Sequence, residues 1–306
     1  MMHSLEVVSN NKHTIINMAN PKNQGFAVTS ITGITAPIGT INMTERATID
    51  GSTFNGARAN NRNIVITLTF IQGSYSIEEL RHKCYQIFPV KQKIKLIFKT
   101  STRTVTIDGY VETNDTNVFS INEGAQISII CESAYFSSYN KNNDGYELVV
   151  FNGSVPLFEF PFENNSLTEP LIEISELRRE TSKNIIFNSE ISNGFIVKLK
   201  LTGVASGIAI ANLTTNDALM IDSTVVTALT GSDFISDDLI EINTQLGQKS
   251  ITLYRGVNKY NLLPAITSNS KWLELVQGDN EIYIYAASGV ENILTQLMYK
   301  RLYMGV

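Results

Sequence analysis

Apolar side chains recur at every second position through much of this chain. In residues 63–70 (NIVITLTF), Ile64, Ile66, Leu68 and Phe70 fall on one face. In residues 93–99 (KIKLIFK), Ile94, Leu96 and Phe98 alternate with Lys93, Lys95 and Lys99. Val105, Ile107 and Val111 repeat the pattern, with Asp108-Gly109 read as a kink or turn, and Ile127, Ile129 and Cys131 repeat it again. Successive side chains of an extended backbone point to opposite faces, so a period of two predicts antiparallel strands with one buried face. One stretch changes period. Residues 76–88 (SIEELRHKCYQIF) place Ile77, Leu80, Cys84 and Ile87 on one helical stripe. Ser76 and Glu79 have capping-box spacing, and Pro89 ends the helix.

The second half predicts short strands, among them residues 171–174, 184–187, 195–201, 207–213, 218–221, 239–243, 251–254, 272–276, 281–286 and 294–303. Gly278-Asp279-Asn280 reads as a hairpin turn, and a short helix is expected near residues 289–294. Ten short strands separated by turn residues point to a sandwich or jelly roll. The polar, Asn-rich run at 137–146 (SSYNKNNDGY) marks the domain boundary. The reading is therefore mainly β: residues 1–138 form an N-terminal β-sandwich with one α-helix at 76–88, 139–146 a linker, and 147–306 a C-terminal β-sandwich.

Composition narrows the function classes. The chain has 306 residues, 43% hydrophobic and 17% charged, enough apolar material for two cores. The net charge of −5 is uneven. Residues 1–140 carry twelve basic against ten acidic side chains, and residues 141–306 twelve against nineteen. Neither half has the dense basic face that holds phosphates, so nucleic-acid binding is disfavoured. No apolar run approaches the ~20 residues of a membrane helix. The opening MMHSLEVVSNNKHT lacks a secretion signal's pattern, which gives an expectation of cytoplasmic folding.

Candidate chemistry is sparse. His3 and His13 are expected in a mobile N-terminus and His82 off the apolar stripe of the helix, so no triad is indicated. Cys84 and Cys131 read as inert core thiols. No zinc spacing and no phosphate-cradling glycine motif occurs, and no cofactor is expected. The acidic run SDFISDDLIE (Asp233, Asp237, Asp238, Glu241) is the one candidate cation loop, with a solvated loop as the plainer reading. Trp272, Tyr254 and Tyr283 are candidates for stacking on a glycan, with core or edge packing as the plainer reading.

From residue 31 onward the order of motifs becomes specific. Asp50-Gly51 is followed by Phe54-Asn55-Gly56-Ala57-Arg58 and by Arg62 opening a strand. The helix EELRHKCYQIF, the strand IKLIFK, Asp108-Gly109-Tyr110 and the closing ISIICESAYF come next. PLFEFPF, LMIDSTVVTAL and WLELVQGDNEIYIY continue the series. In this order the chain resembles the distal tail proteins of long-tailed phages of Gram-positive bacteria and of phage-like bacteriocin particles. The resemblance implies a ring-forming first domain and a galectin-like or carbohydrate-module-like second sandwich. It implies a homohexameric ring at the virion tail tip, assembled in the host cytoplasm. That ring would join the tail tube protein to the tail-tip hub, carry receptor-binding components, and let DNA pass without binding it specifically. Asp50, Phe54, Arg58, Arg62, Lys93 and Lys95 are the candidate ring contacts, with an intradomain salt bridge or a solvated side chain as the equally weighted alternative for the charged ones. The competing expectation is a module that grips a host cell-wall glycan through the second sandwich, and an enzyme is not expected.

Overall fold

The structure is a computed structural model that describes residues 2–10, 12–118, 123–156 and 175–306; for 152–156 and 175–179 it describes the backbone alone. The chain divides into two compact units, Met1–Gly145 with Leu302–Val306, and Tyr146–Arg301. The sequence reading ran the second domain to residue 306. The observed division corrects this, because the last five residues return to the first unit and the run 139–145 packs there too.

The first unit begins with β1 (Met2–Ser9), β2 (Lys12–Asn17), the single turn α1 (Pro21–Gln24) and β3 (Phe26–Thr32). The hairpin β4 (Gly39–Glu45) and β5 (Ser52–Ala59) follows, then β6 (Arg62–Phe70) and helix α2 (Ile77–Ile87). The unit continues with β7 (Lys93–Thr100), β8 (Thr104–Thr116), β9 (Gly124–Cys131) and β10 (Phe136–Ser138). One antiparallel sheet runs in the order β2-β1-β7-β8-β9-β6-β3, and β10 attaches to β8. The alternating apolar positions of β6, β7, β8 and β9 are the buried ones, together with Leu80, Cys84 and Ile87 of α2. The Ser76 hydroxyl accepts from the Glu79 amide while the Glu79 carboxylate accepts from the Ser76 amide, so two orphan donors are satisfied. His3 and His13 lie in β1 and β2, not in a mobile terminus.

Gly109 does not turn the chain. β8 runs straight through it, because a residue without Cβ lets β9 approach: an added Cβ would stand 2.7 Å from Ile129 Cγ2 and 2.9 Å from Cys131 Sγ.

The second unit holds β11 (Glu147–Val150), the pair β12 (Asn152–Pro156) and β13 (Ser175–Arg179), β14 (Ser182–Phe187), β15 (Phe195–Leu201), β16 (Ala209–Asn212) and β17 (Asp217–Met220). Helix α3 (Ser223–Thr230), β18 (Leu239–Asn243), β19 (Ser250–Arg255), β20 (Asn258–Asn261), β21 (Gly278–Tyr285) and β22 (Ile293–Tyr299) complete it. A six-stranded sheet, β11-β22-β15-β18-β19-β20, and a four-stranded sheet, β14-β21-β16-β17, share one core. Val197, Leu199, Ile240 and Ile242 come from the first, and Ile185, Ile210, Ile282 and Ile284 from the second. This is a β-sandwich. The final strand, β23 (Leu302–Tyr303), pairs with β10 in the first unit.

Several expectations need correction here. Residues 272–276 form no strand, and Gly278 opens β21 where a hairpin turn was expected. The Asn280 side chain donates to the Val276 carbonyl at 2.7 Å and accepts from the Val276 amide at 2.9 Å, so it fastens the loop that leads into β21. Helix α3 was not expected, while the predicted helix near 289–294 is one 3₁₀ turn at Val290–Asn292. The predicted strand at 171–174 lies outside the described residues, as do residues 157–162 of the PLFEFPF motif.

Candidate assembly surface

The β4–β5 hairpin forms a sheet of its own, hydrogen-bonded to no other strand among the described residues. Its register pairs Gly39 with Ala59, Ile41 with Ala57, Met43 with Phe54 and Glu45 with Ser52, with a bulge between Asn42 and Met43. Ile41 and Met43 are two residues apart on one strand and so share a face, and their cross-strand partners Ala57 and Phe54 extend it. That face meets solvent: Ile41 is 60% exposed, Met43 58% and Phe54 61%, and Ile38 and Ile49 at the two ends are more exposed still or equal. A lone two-stranded hairpin is marginally stable in water. Here polar clasps support it: Thr40 Oγ1 donates to Asn60 Oδ1 at 2.8 Å, Arg46 Nε to Thr53 Oγ1 at 2.9 Å and Ser52 Oγ to Met43 Sδ at 3.2 Å. Asp50 and Arg58 are exposed and have no ion-pair partner among the described residues. A continuous apolar face on a strand pair with solvent on both sides is what a protein–protein contact needs.

The other expected ring contacts lie elsewhere. Arg62 is 95% buried in its own unit, which corrects its reading as a surface contact. Its guanidinium donates to the carbonyls of Gly33, Thr35, Ala134 and Met304 and stacks 4.5 Å over Phe136. Burial lowers its pKa from the usual guanidinium range, and five carbonyl bonds keep the cation satisfied. Lys93 pairs with Asp108 at 3.2 Å and Lys95 with Asp144 at 2.5 Å, so both lysines are engaged inside the unit.

In the second unit the acidic run disperses. Asp237 pairs with Lys200 and Glu241 with Lys198. Asp233 caps the Phe234 amide. Asp238 is fully buried against Arg255, which the sequence reading missed. Arg255 also donates to Thr230 Oγ1, Ser232 Oγ and the Asp233 carbonyl, and so fastens the whole loop after α3. No group of three or more His, Cys, Asp or Glu side chains converges for a metal among the described residues. Tyr254 lies on β19 of the six-stranded sheet and Tyr283 on β21 of the four-stranded sheet, while Trp272 packs against the core beneath Lys249. The three therefore make no common platform. Tyr283 instead shares an outward row with Tyr285, across from Ala211 and Ala209.

Burial pushes the Cys84 and Cys131 thiols up to about 12, so neither is a thiolate at neutral pH. His82 is exposed and 4.0 Å from Glu78 on its own helix. Among the described residues no helix is long and apolar enough to cross a membrane.

No family model and no curated protein matches the chain. Solved structures do. The crystal structure of Dit from phage SPP1, described as a paradigm of the hub adsorption apparatus in phages infecting Gram-positive bacteria, overlaps 98% of this chain and 99% of its own, with a TM-score of 0.60 at 9% identity. Chains of the phage P2 baseplate in its activated conformation overlap over 100% and 99% of this chain and of their own. These are the calcium structure, at 13% identity and a TM-score of 0.44, and the strontium structure, at 12% and 0.42, and both match too loosely to add to the comparison. From first strand to last, the chain has the fold of the SPP1 distal tail hub protein.

Proposed function

We propose that this chain is a structural subunit of a phage-type tail tip, in which copies close into a hexameric ring. The observation that carries the reading is the full-length match to a hub protein's fold. The solvent-facing apolar hairpin β4–β5 supports it. A ring needs a heterologous joint, one face of a subunit against a different face of the next. Ile41, Met43 and Phe54, flanked by Asp50 and Arg58, offer one half of such a joint. A stable joint buries about 1,600 Å². The ring would join the tail tube to the tail-tip hub, anchor receptor-binding components, and leave a central channel through which DNA passes unread. Its place is the virion tail tip, after assembly in the host cytoplasm, and its role is structural rather than enzymatic.

Light scattering on a sizing column at micromolar concentration tests this. Six-fold or twelve-fold the 33.9 kDa chain mass supports the ring. A single-chain mass that persists after the tail-tip hub protein is added refutes it.

A second reading, in which the second unit grips a cell-wall glycan, has one observation in its favour. Tyr283 and the half-exposed Tyr285 stand side by side on the outer face of β21, with small Ala209 and Ala211 opposite. A flat aromatic row of that kind suits a sugar ring. Saturable binding of cell-wall polysaccharide that is lost on Tyr285→Ala would support it.

A further inference from the structure

A small cleft in the first unit, lined by both apolar and polar side chains, lies between the β1–β2 hairpin and helix α2, away from the β4–β5 arm in sequence and sheet. Its floor is two directly opposed cross-strand pairs, Val7 with Thr14 and Ser9 with Lys12. Its other wall is one face of α2, where Lys83, Gln86 and Ile87 recur at helical spacing. The cleft holds about 110 Å³, well below the ~300–1,000 Å³ of small-molecule sites, so it accepts one functional group rather than a cofactor.

Its chemistry is one-sided. Two ammonium groups and two hydroxyls line it, and no carboxylate does. Lys12 and Lys83 form no ion pair among the described residues, and Lys83 rests 4.6 Å over the Tyr75 ring instead. Ser9 is 95% buried, and its hydroxyl has no hydrogen-bond partner among the described residues. A buried polar group without a partner is destabilising, so it marks a place where an acceptor is missing. β2 is also an end strand of its sheet, so its outer edge presents main-chain groups to an incoming extended segment.

We propose that this cleft is a docking site for an acidic segment of a partner protein, whose carboxylate enters between Lys12 and Lys83 and accepts from Ser9 Oγ. Charge sets the choice of occupant, since a carboxylate supplies both the missing counter-charge and the missing acceptor. The site requires no ring, so its failure and the failure of the ring reading are separate results.

The test is fluorescence anisotropy of a labelled tetraglutamate peptide on the full chain at low salt, with tetraglutamine as control and inorganic phosphate as competitor. The expected result is saturable binding of the glutamate peptide alone. Lys12→Met with Lys83→Met should weaken it about tenfold or more, and Ser9→Ala about threefold or more, while Lys249→Met with Lys259→Met leaves it unchanged. Ser9→Ala removes only an unpartnered hydroxyl and so keeps the test valid if the double variant misfolds. Equal binding of the glutamine peptide, no saturable binding, or binding indifferent to Ser9 and the two lysines overturns the proposal. Phosphate binding at these residues without peptide binding also overturns it, and would make the cleft a free-anion site.

Discussion

Arg255 holds the buried Asp238 carboxylate with two parallel hydrogen bonds, Nε to Oδ1 at 2.9 Å and Nη2 to Oδ2 at 2.7 Å. Asp238 also accepts from the Ile235 amide at 3.0 Å. Removing one partner of a buried pair strands the other charge, at a cost of about 3–5 kcal/mol. Arg255→Met should therefore lower the unfolding free energy measured in urea by that amount, while Arg255→Met with Asp238→Leu recovers most of it. A single variant within 1 kcal/mol of the parent chain would show that water already solvates the pair.

Gly109 permits β8 and β9 to lie close, and Gly109→Ala should cost about 1–3 kcal/mol through overpacking against Ile129 and Cys131. Gly39 on the exposed hairpin would place a Cβ no nearer than 3.7 Å to the Arg58 carbonyl, so Gly39→Ala should stay within about 0.5 kcal/mol. Equal losses at the two sites in thermal melts would contradict the close approach.

Glu6 contributes to the acid sensitivity of the first unit. Burial alone would raise its pKa, but hydrogen bonds and charge from Lys99 and His13 outweigh that and hold it below the usual carboxylate range. A carboxyl whose folded pKa is depressed adds stability above its unfolded value, about 4.3, and loses it as pH falls through the folded value. Stability should therefore drop below about pH 4.3, and Glu6→Gln should flatten that part of the curve while lowering stability at pH 7. Unfolding free energies measured between pH 3 and 7 decide it, and an unchanged acid slope in Glu6→Gln would reject the assignment.

The apolar hairpin face is separable from the fold. Phe54→Asp and Met43→Asp add charge to solvent-facing positions, so each should leave the melting temperature within about 2 °C. Each should also reduce the assembled mass to that of a single chain. Retained assembly in both variants would move the ring joint to another surface.

The strands and helix α2 were legible because each buries one face, and burial writes its period into the sequence. Phe195–Leu201 and Leu239–Asn243 begin and end where alternation begins and ends. Helix α3 was illegible for the opposite reason. STVVTALT is rich in β-branched residues that favour strands, and the helix rests on its ends, with Asp222 capping the Thr224 amide and Gly231 closing it in the left-handed region. The hairpin's apolar residues Ile41 and Met43 were visible in the sequence, yet alternation shows that a face exists and not whether it meets a core or solvent. Arg62 misled because exposure is the default for arginine, and the four carbonyls that surround it come from distant parts of the chain. Arg255 left no local signal, since its partners lie 17 to 25 residues earlier.

The return of Leu302–Val306 to the first unit sets an order of events during synthesis. Tyr303 pairs with Phe136, and Arg62 bonds the carbonyl of Met304, so the first unit's sheet and its buried cation are both finished only once residues 302–304 have been made. The intervening unit, Tyr146–Arg301, has its own core and can fold as it emerges. At ribosomal speed its synthesis takes roughly 10–30 s, during which Arg62 lacks its Met304 acceptor. A chain that stopped before residue 302 would carry a complete second sandwich, while the first unit's sheet would lack β23 and Arg62 one of its carbonyl acceptors.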